Sequence, residues 1–412
     1  MGMGQGTATG FLMAASVALA GGASWAARGG GDAACLECHS GGNLGKPELD
    51  VDTKALGASV HGAQGLSCTD CHADLAGARD FPHGKTSPPA CGGCHDAERS
   101  AVERSAHRQN DAASPRCWSC HGGHDVLKAG AKASRIAPLN QPGTCLGCHA
   151  DPKLAAEHRL PVRESAEAFK SGIHYQQLLS GNGAAPACTT CHGAHDNVSH
   201  RDSKSPIARG NVATTCGMCH SEISDQFKGS VHGVELAKGN ADVPTCTGCH
   251  SEHAIRGPKD PASPVYATHV AKTCSHCHEN QRLSSRYGIA AERLRTFTGS
   301  YHGAASRFGD ATVANCASCH GAHDIRPSAD PKSSIHSSNL TRTCGKCHPQ
   351  AGLNFASGKI HVRDLPEDNY WAWMVKRLYL SMIWSVIGGF VVLILVDLWG
   401  RARTRLSARG RS

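Results

Sequence analysis

Apolar residues are thinly spread along this chain and gather in only two places. Residues 11–20, from Phe11 to Ala20, form a ten-residue apolar run followed by two glycines. That is too short to span a bilayer and suits the hydrophobic stretch of a signal peptide, with Ala18 and Ala20 as a small-residue cleavage signal. Residues 1–10 carry no Lys or Arg, a departure from the usual leader. The second run, Leu378 to Trp399, is 22 residues long with one charge, Asp397, and fits a single transmembrane helix. Trp371, Trp373 and Tyr379 stand at its start and Trp399 at its end, as an interfacial aromatic belt would. Lys376 and Arg377 precede it and five Arg follow, so the positive-inside rule predicts a cytoplasmic C-terminus and a periplasmic body.

Between the runs, large apolar side chains are too few to fill a conventional core. Aromatic residues make up 5% of the chain, while it holds 47 Gly and 19 Pro. Something other than side chains must supply the buried apolar volume. The net charge of +8 does not mark a nucleic-acid binder, because all but +2 of it comes from the residues flanking and following the second run.

The unusual counts are 22 Cys and 27 His. Every cysteine falls in a Cys-x-x-Cys-His motif, and there are eleven motifs. The thiol pairs are Cys35 and Cys38, Cys68 and Cys71, Cys91 and Cys94, Cys117 and Cys120, Cys145 and Cys148, Cys188 and Cys191, Cys216 and Cys219, Cys246 and Cys249, Cys274 and Cys277, Cys316 and Cys319, and Cys344 and Cys347. The histidines that follow are His39, His72, His95, His121, His149, His192, His220, His250, His278, His320 and His348. Two thiols three positions apart can each add to a vinyl group of one haem, and the next His then lies under the iron. Zinc ribbons would need two cysteine pairs per ion, and eleven is odd. A disulfide framework would not require a His after every second Cys, and a thioredoxin-like motif would not occur eleven times.

On these motifs the chain resembles multihaem c-type cytochromes over nearly all of residues 35–361. The resemblance implies eleven covalently attached haems c and a multihaem cytochrome c fold. Short α-helices and irregular loops would wrap a haem stack, with almost no β structure.

An internal repeat sets the expected organisation. Four motifs carry a further His three residues on, giving His124, His195, His253 and His323. Each is followed 28 residues later by a plain motif, so residues 105–361 read as an eight-haem region of four two-haem repeats. A three-haem region, 21–104, precedes it after the 1–20 leader. A linker (362–377), the membrane helix (378–399) and a basic tail (400–412) follow.

Phe169, Phe227 and Phe297 each lie five residues before a His, at His174, His232 and His302. Leu56 and His61 match more loosely, Phe355 and His361 are six apart, and His107 holds the equivalent place before the first repeat. With His83, these and the four doubled positions make eleven candidate distal ligands for eleven irons. His361 is expected to serve the haem of Cys344, the one nearest the membrane. Met218 is the one methionine between leader and linker, and it lies inside a motif. His/Met ligation, which raises the potential, is therefore not expected. Asp125, Asp196 and Asp324 follow three of the doubled His and could orient the imidazole or hold a turn.

The functional expectation is electron transfer without substrate chemistry. A membrane-anchored relay would run between a membrane cytochrome b or other quinone-reactive subunit and periplasmic redox proteins in anaerobic respiration. The alternative is a reductase or oxidase resembling the nitrite, tetrathionate or hydroxylamine enzymes, with one open-site haem among those of Cys35, Cys68 and Cys91.

Overall fold

The computed structural model describes residues 32–78, 82–108, 114–158, 164–290 and 292–409. The expected leader and the last tail residues, Arg411 among them, lie outside these. Among the described residues every regular element is helical and there is no strand, so the expected helical, nearly β-free class is what the chain adopts. Most helices are one or two turns long. The four doubled motifs are five-residue helices, Cys117–His121, Cys188–His192, Cys246–His250 and Cys316–His320. Elements this short are marginal by themselves, because nucleation fixes several residues for one hydrogen bond.

Side chains supply little packing. Among the described residues ten apolar ones are buried, and five of those are alanine. The backbone is held instead by buried hydroxyls that recur with the repeat. Ser134, Ser205, Ser263 and Ser333 are each at most 3% exposed and lie ten residues after a doubled His. The Oγ atoms of Ser205, Ser263 and Ser333 each donate to the carbonyl seven residues back. The plain motifs of the repeat all begin Thr-Cys. Thr144, Thr215, Thr273 and Thr343 each donate Oγ1 to the carbonyl nine residues earlier, at 2.6 Å in all four.

The chain divides into two compact units. The first comprises the chain up to Lys170 with His174–Ser205, and the second comprises Ser171–Ile173 with Pro206 onward. Backbone bonds of one form tie repeats together within them. Val60 and Ala106 donate to Val126 and Asn197 in the first unit, and Ile173 and Val231 donate to Ile255 and Ile325 in the second. In every case the donor immediately precedes a candidate ligand, and the acceptor stands two residues after a doubled His.

The final helix, Pro366–Arg409, has extended backbone at Asn369 and is thus two helices joined at a kink. The most apolar window within its Pro366–Thr404 portion has a mean hydropathy of 2.3, and none of that window is buried. It is the one described helix long and apolar enough to cross a membrane. Arg377 lies 5.6 Å over the Trp373 ring before the apolar run and Arg403 5.6 Å over Trp399 after it. Asp397 pairs with Arg401 one turn on, at 2.8 Å.

Candidate functional site: paired histidines beside paired thiols

Motif histidines face second histidines from elsewhere in the chain. Among the described residues nine such pairs are seen inside the two units. In the first unit they are His39–His83 (5.8 Å between ring centroids), His61–His95 (6.1 Å), His72–His124 (6.3 Å), His107–His149 (6.2 Å) and His121–His195 (5.9 Å). In the second they are His232–His278 (6.3 Å), His250–His323 (6.0 Å), His302–His348 (6.2 Å) and His320–His361 (6.3 Å). Metal–imidazole bonds are about 2 Å, so two rings on opposite sides of one ion have nitrogens about 4 Å apart and centroids about 6 Å apart. The spacing is too wide for direct ring packing and matches one metal ion per pair. Every pair joins one motif histidine to one candidate distal ligand. His174 and His192 belong to the first unit and His220 and His253 to the second.

The pairing has an order. Histidines placed before a repeat reach its plain motif: His107 meets His149, His232 meets His278, and His302 meets His348. Doubled histidines reach back: His195 meets His121 and His323 meets His250. The sequence suggested that His361 would face His348, and it does not. It faces His320, because His348 already has its partner in its own repeat. Thr296 Oγ1, 3.0 Å from His361 Nδ1, fixes that ring.

Protonation suits metal binding, which needs neutral imidazole. Burial lowers the pKa of His107, His121, His124, His250, His278, His320, His323 and His361. His232 falls to about 4, chiefly by burial and then by the neighbouring His278. Among the described residues no three or more of His, Cys, Asp and Glu converge, as a tetrahedral zinc centre would require.

Thiols of consecutive motifs lie side by side. Hydrogen bonding to Cys188 raises the Cys145 thiol, and Cys216 and Cys316 do the same to Cys246 and Cys274. Burial and then Asp32 push Cys68 up to about 12, with Cys35 adding to it, and burial followed by Cys117 raises Cys91. Burial raises Cys71, Cys120, Cys249 and Cys319, and Cys94, Cys145, Cys277 and Cys344 respectively add to it. These contacts form an unbroken series from Cys35 to Cys188 in the first unit and from Cys216 to Cys344 in the second. The thiols of successive motifs therefore lie near one another within each unit.

The other predicted attachment cysteines sit differently. Cys148 and Cys347 add only smaller amounts to Cys120 and Cys319. Cys38, Cys148, Cys219 and Cys347 are exposed, and Cys191 is half-buried. Among the described residues none of these five joins a metal-binding cluster with its motif histidine. A thioether is a bond to the porphyrin edge and not to the iron. Cys38, Cys148, Cys191, Cys219 and Cys347 thus need an open position beside the histidine, not a place among the imidazoles.

Several positions missed by reading the sequence hold the ligands in place. Ser59, Ser230 and Ser300 lie two residues before His61, His232 and His302, and their Oγ atoms accept the N–H of Gly62, Gly233 and Gly303. Ser230 and Ser300 are thereby the N-caps of the Val231–Ala237 and Tyr301–Arg307 helices. A Cβ on any of those glycines would land on the carbonyl oxygen of Leu56, Phe227 or Phe297. The signal was present as Ser-x-His-Gly. Asp125 Oδ1 accepts the N–H of Gly123 and so holds a turn. His269, one of the histidines beyond the eleven, takes a structural place: its Nδ1 meets the Ser263 carbonyl at 2.9 Å, as Asn140 and Asn339 meet those of Ser134 and Ser333.

Among the described residues the fold is helical and strandless, and imidazoles face one another at metal-spanning distance beside the Cys-x-x-Cys-His turns. Over 203 residues the chain is 26% identical to the multihaem cytochrome MtrA of Shewanella baltica (strain OS185), covering 44% of this chain and 58% of that protein. The chain thus spans a little over half the length of that relative. No family model matches the chain, and no solved structure matches it.

Proposed function

We propose that this chain is an undecahaem c-type cytochrome that relays electrons, tethered to the membrane by Leu378–Trp399 with its haem-bearing body in the periplasm and its C-terminus cytoplasmic. The observation that carries the reading is the set of nine histidine pairs, each with one member from an attachment motif. The cysteines of each motif form the thioethers, and the motif histidine is the proximal ligand. The distal ligands follow the pairing: His83 for the haem of Cys35, His124 for Cys68, His61 for Cys91, His195 for Cys117 and His107 for Cys145. In the second unit they are His323 for Cys246, His232 for Cys274, His361 for Cys316 and His302 for Cys344. His174 and His253 supply the two remaining haems, attached at Cys188 and Cys216.

Each bound haem supplies a one-electron iron couple of low potential. The chain's own contribution is placement and exclusion. Imidazoles from two parts of the chain would hold each iron and leave no site for a substrate, and the closeness of thiols in successive motifs would keep successive groups near enough for tunnelling, which falls steeply with distance. His361, five residues before Pro366, draws the haem of Cys316 to the membrane-proximal segment. Electrons enter or leave there, exchanged with a quinone-reactive membrane partner such as a cytochrome b, and pass to periplasmic carriers in anaerobic respiration.

The test is haem stoichiometry by mass spectrometry of the purified chain, with visible and magnetic dichroism spectra. Eleven additions and an all-low-spin, bis-His spectrum are expected. A high-spin haem that binds carbon monoxide in the native protein would instead favour an enzyme.

A further inference from the structure

The planes of the facing rings are not alike. At two doubled motifs of the repeat region the rings are nearly parallel: 15° for His121–His195 and 12° for His250–His323. At the plain motifs of His149 and His278 they cross: 75° for His107–His149 and 67° for His232–His278. Upstream, His39–His83 lies at 24° and His61–His95 at 63°. Three pairs toward the ends are intermediate: His72–His124 at 40°, and His302–His348 and His320–His361 both at 45°.

Two scaffolds produce the two orientations. The crossed ligands His61, His107 and His232 stand two residues after a serine whose Oγ accepts a backbone N–H of the following turn. The parallel ligands His195 and His323 come from the turn just after an attachment helix, which leaves that helix through Gly193 and Gly321 at positive φ. The same scaffolds present His302 and His124, whose pairs are intermediate, so local structure biases the ring orientation and the surrounding pair completes it.

We propose that the repeat region holds two electronic classes of bis-His haem in alternation, with parallel-ring sites at His121–His195 and His250–His323 and crossed-ring sites at His107–His149 and His232–His278. The proposal rests on the ligand assignment above. Parallel imidazoles act through their π systems on the same iron d orbital and split the upper pair. Crossed imidazoles act on one orbital each and leave the pair nearly degenerate. The ferric hole occupies the upper orbital, so the larger splitting favours the oxidised state. Parallel-ring sites therefore have the lower potentials, and an electron passing along the chain meets low and higher sites in turn. Axial ligands are one of the protein's main controls over haem potential, and here their planes differ while their identity does not.

The experiment is electron paramagnetic resonance of the oxidised, detergent-solubilised full chain, repeated along a reductive titration. Two families of low-spin signal are expected: rhombic ones from parallel rings and ones with a single large g value from crossed rings. The large-g signals should disappear at more positive potentials than the rhombic ones. His232→Ala should remove intensity from the large-g family alone, and His323→Ala from the rhombic family alone. A low-spin spectrum with rhombic signals only, or the reverse order of reduction, overturns the alternation and leaves the ligand assignment standing. A spectrum dominated by high-spin iron overturns the assignment itself. The unsubstituted protein decides both questions if either variant fails to assemble.

Discussion

At the scale of single residues, the turn after each doubled motif shows two positions varying together for a steric reason. Gly122, Gly193 and Gly321 have φ near +80 to +90° with extended ψ, a conformation that suits glycine almost alone. A Cβ at any of them would strike the carboxylate of Asp125, Asp196 or Asp324. The fourth copy has Ser251 at φ +70° and ψ 176°, and there the aspartate is replaced by Ala254. Loss of the carboxylate makes room for the serine Cβ, but the backbone strain of roughly 1–3 kcal/mol remains. Ser251→Gly is therefore expected to stabilise the protein by about 1 kcal/mol after the added chain entropy of glycine. Ala254→Asp alone should destabilise it, and the pair together should restore stability. A double-mutant cycle followed by thermal melting reads the coupling; additive effects would contradict the steric account. The sequence displayed the Gly/Asp and Ser/Ala covariation in full. It could not say whether the aspartate served the imidazole or the turn, because that depends on where its oxygens point.

At the scale of elements, the Cys-x-x-Cys-His turns and the 28-residue offset between them stand out in the sequence because they are strict in spacing. The ligand helices were readable only in part. A phenylalanine five residues before a histidine marks the pattern, and Phe227 and Phe297 are buried as that predicts. Phe355, in the copy with six-residue spacing, is 56% exposed and lies 5.0 Å from the His348 ring instead. What fixes the histidine is the serine cap and the glycine after it, which lets the two short helices meet at the phenylalanine carbonyl. Gly233→Ala should push the Val231–Ala237 helix off Phe227 and carry His232 away from His278. One haem of eleven should then turn high-spin and bind carbon monoxide, a change of about a tenth in the magnetic dichroism amplitude. Removing the cap alone with Ser230→Ala should cost about 1 kcal/mol of stability. Its haem should stay low-spin, because the backbone bond from Val231 to Ile325 remains.

At the scale of the whole molecule, the pairing within each unit makes the haem sites interdependent. The doubled histidine of one repeat closes a site on the repeat before it, and His61 with His95, together with His72 with His124, extends the same logic to the motifs of Cys68 and Cys91. That segment thus acts as a shortened fifth copy, which sequence reading set apart because its motifs are 23 residues apart and lack the doubled histidine. The fourth copy is followed by no fifth doubled motif, and His361 from the segment before the apolar helix takes that role. Truncation separates anchoring from ligation. A chain ending after Asp364 keeps His361 and loses the apolar helix, so it should be exported in soluble form with every haem low-spin. A chain ending after Gly358 lacks His361 as well, and the haem of Cys316 alone should become high-spin. The two proteins differ by six residues and share all eleven motifs. A difference of one carbon-monoxide-binding haem between them would establish His361 as the ligand, whereas identical spectra would mean that the haem of Cys316 takes its sixth ligand elsewhere.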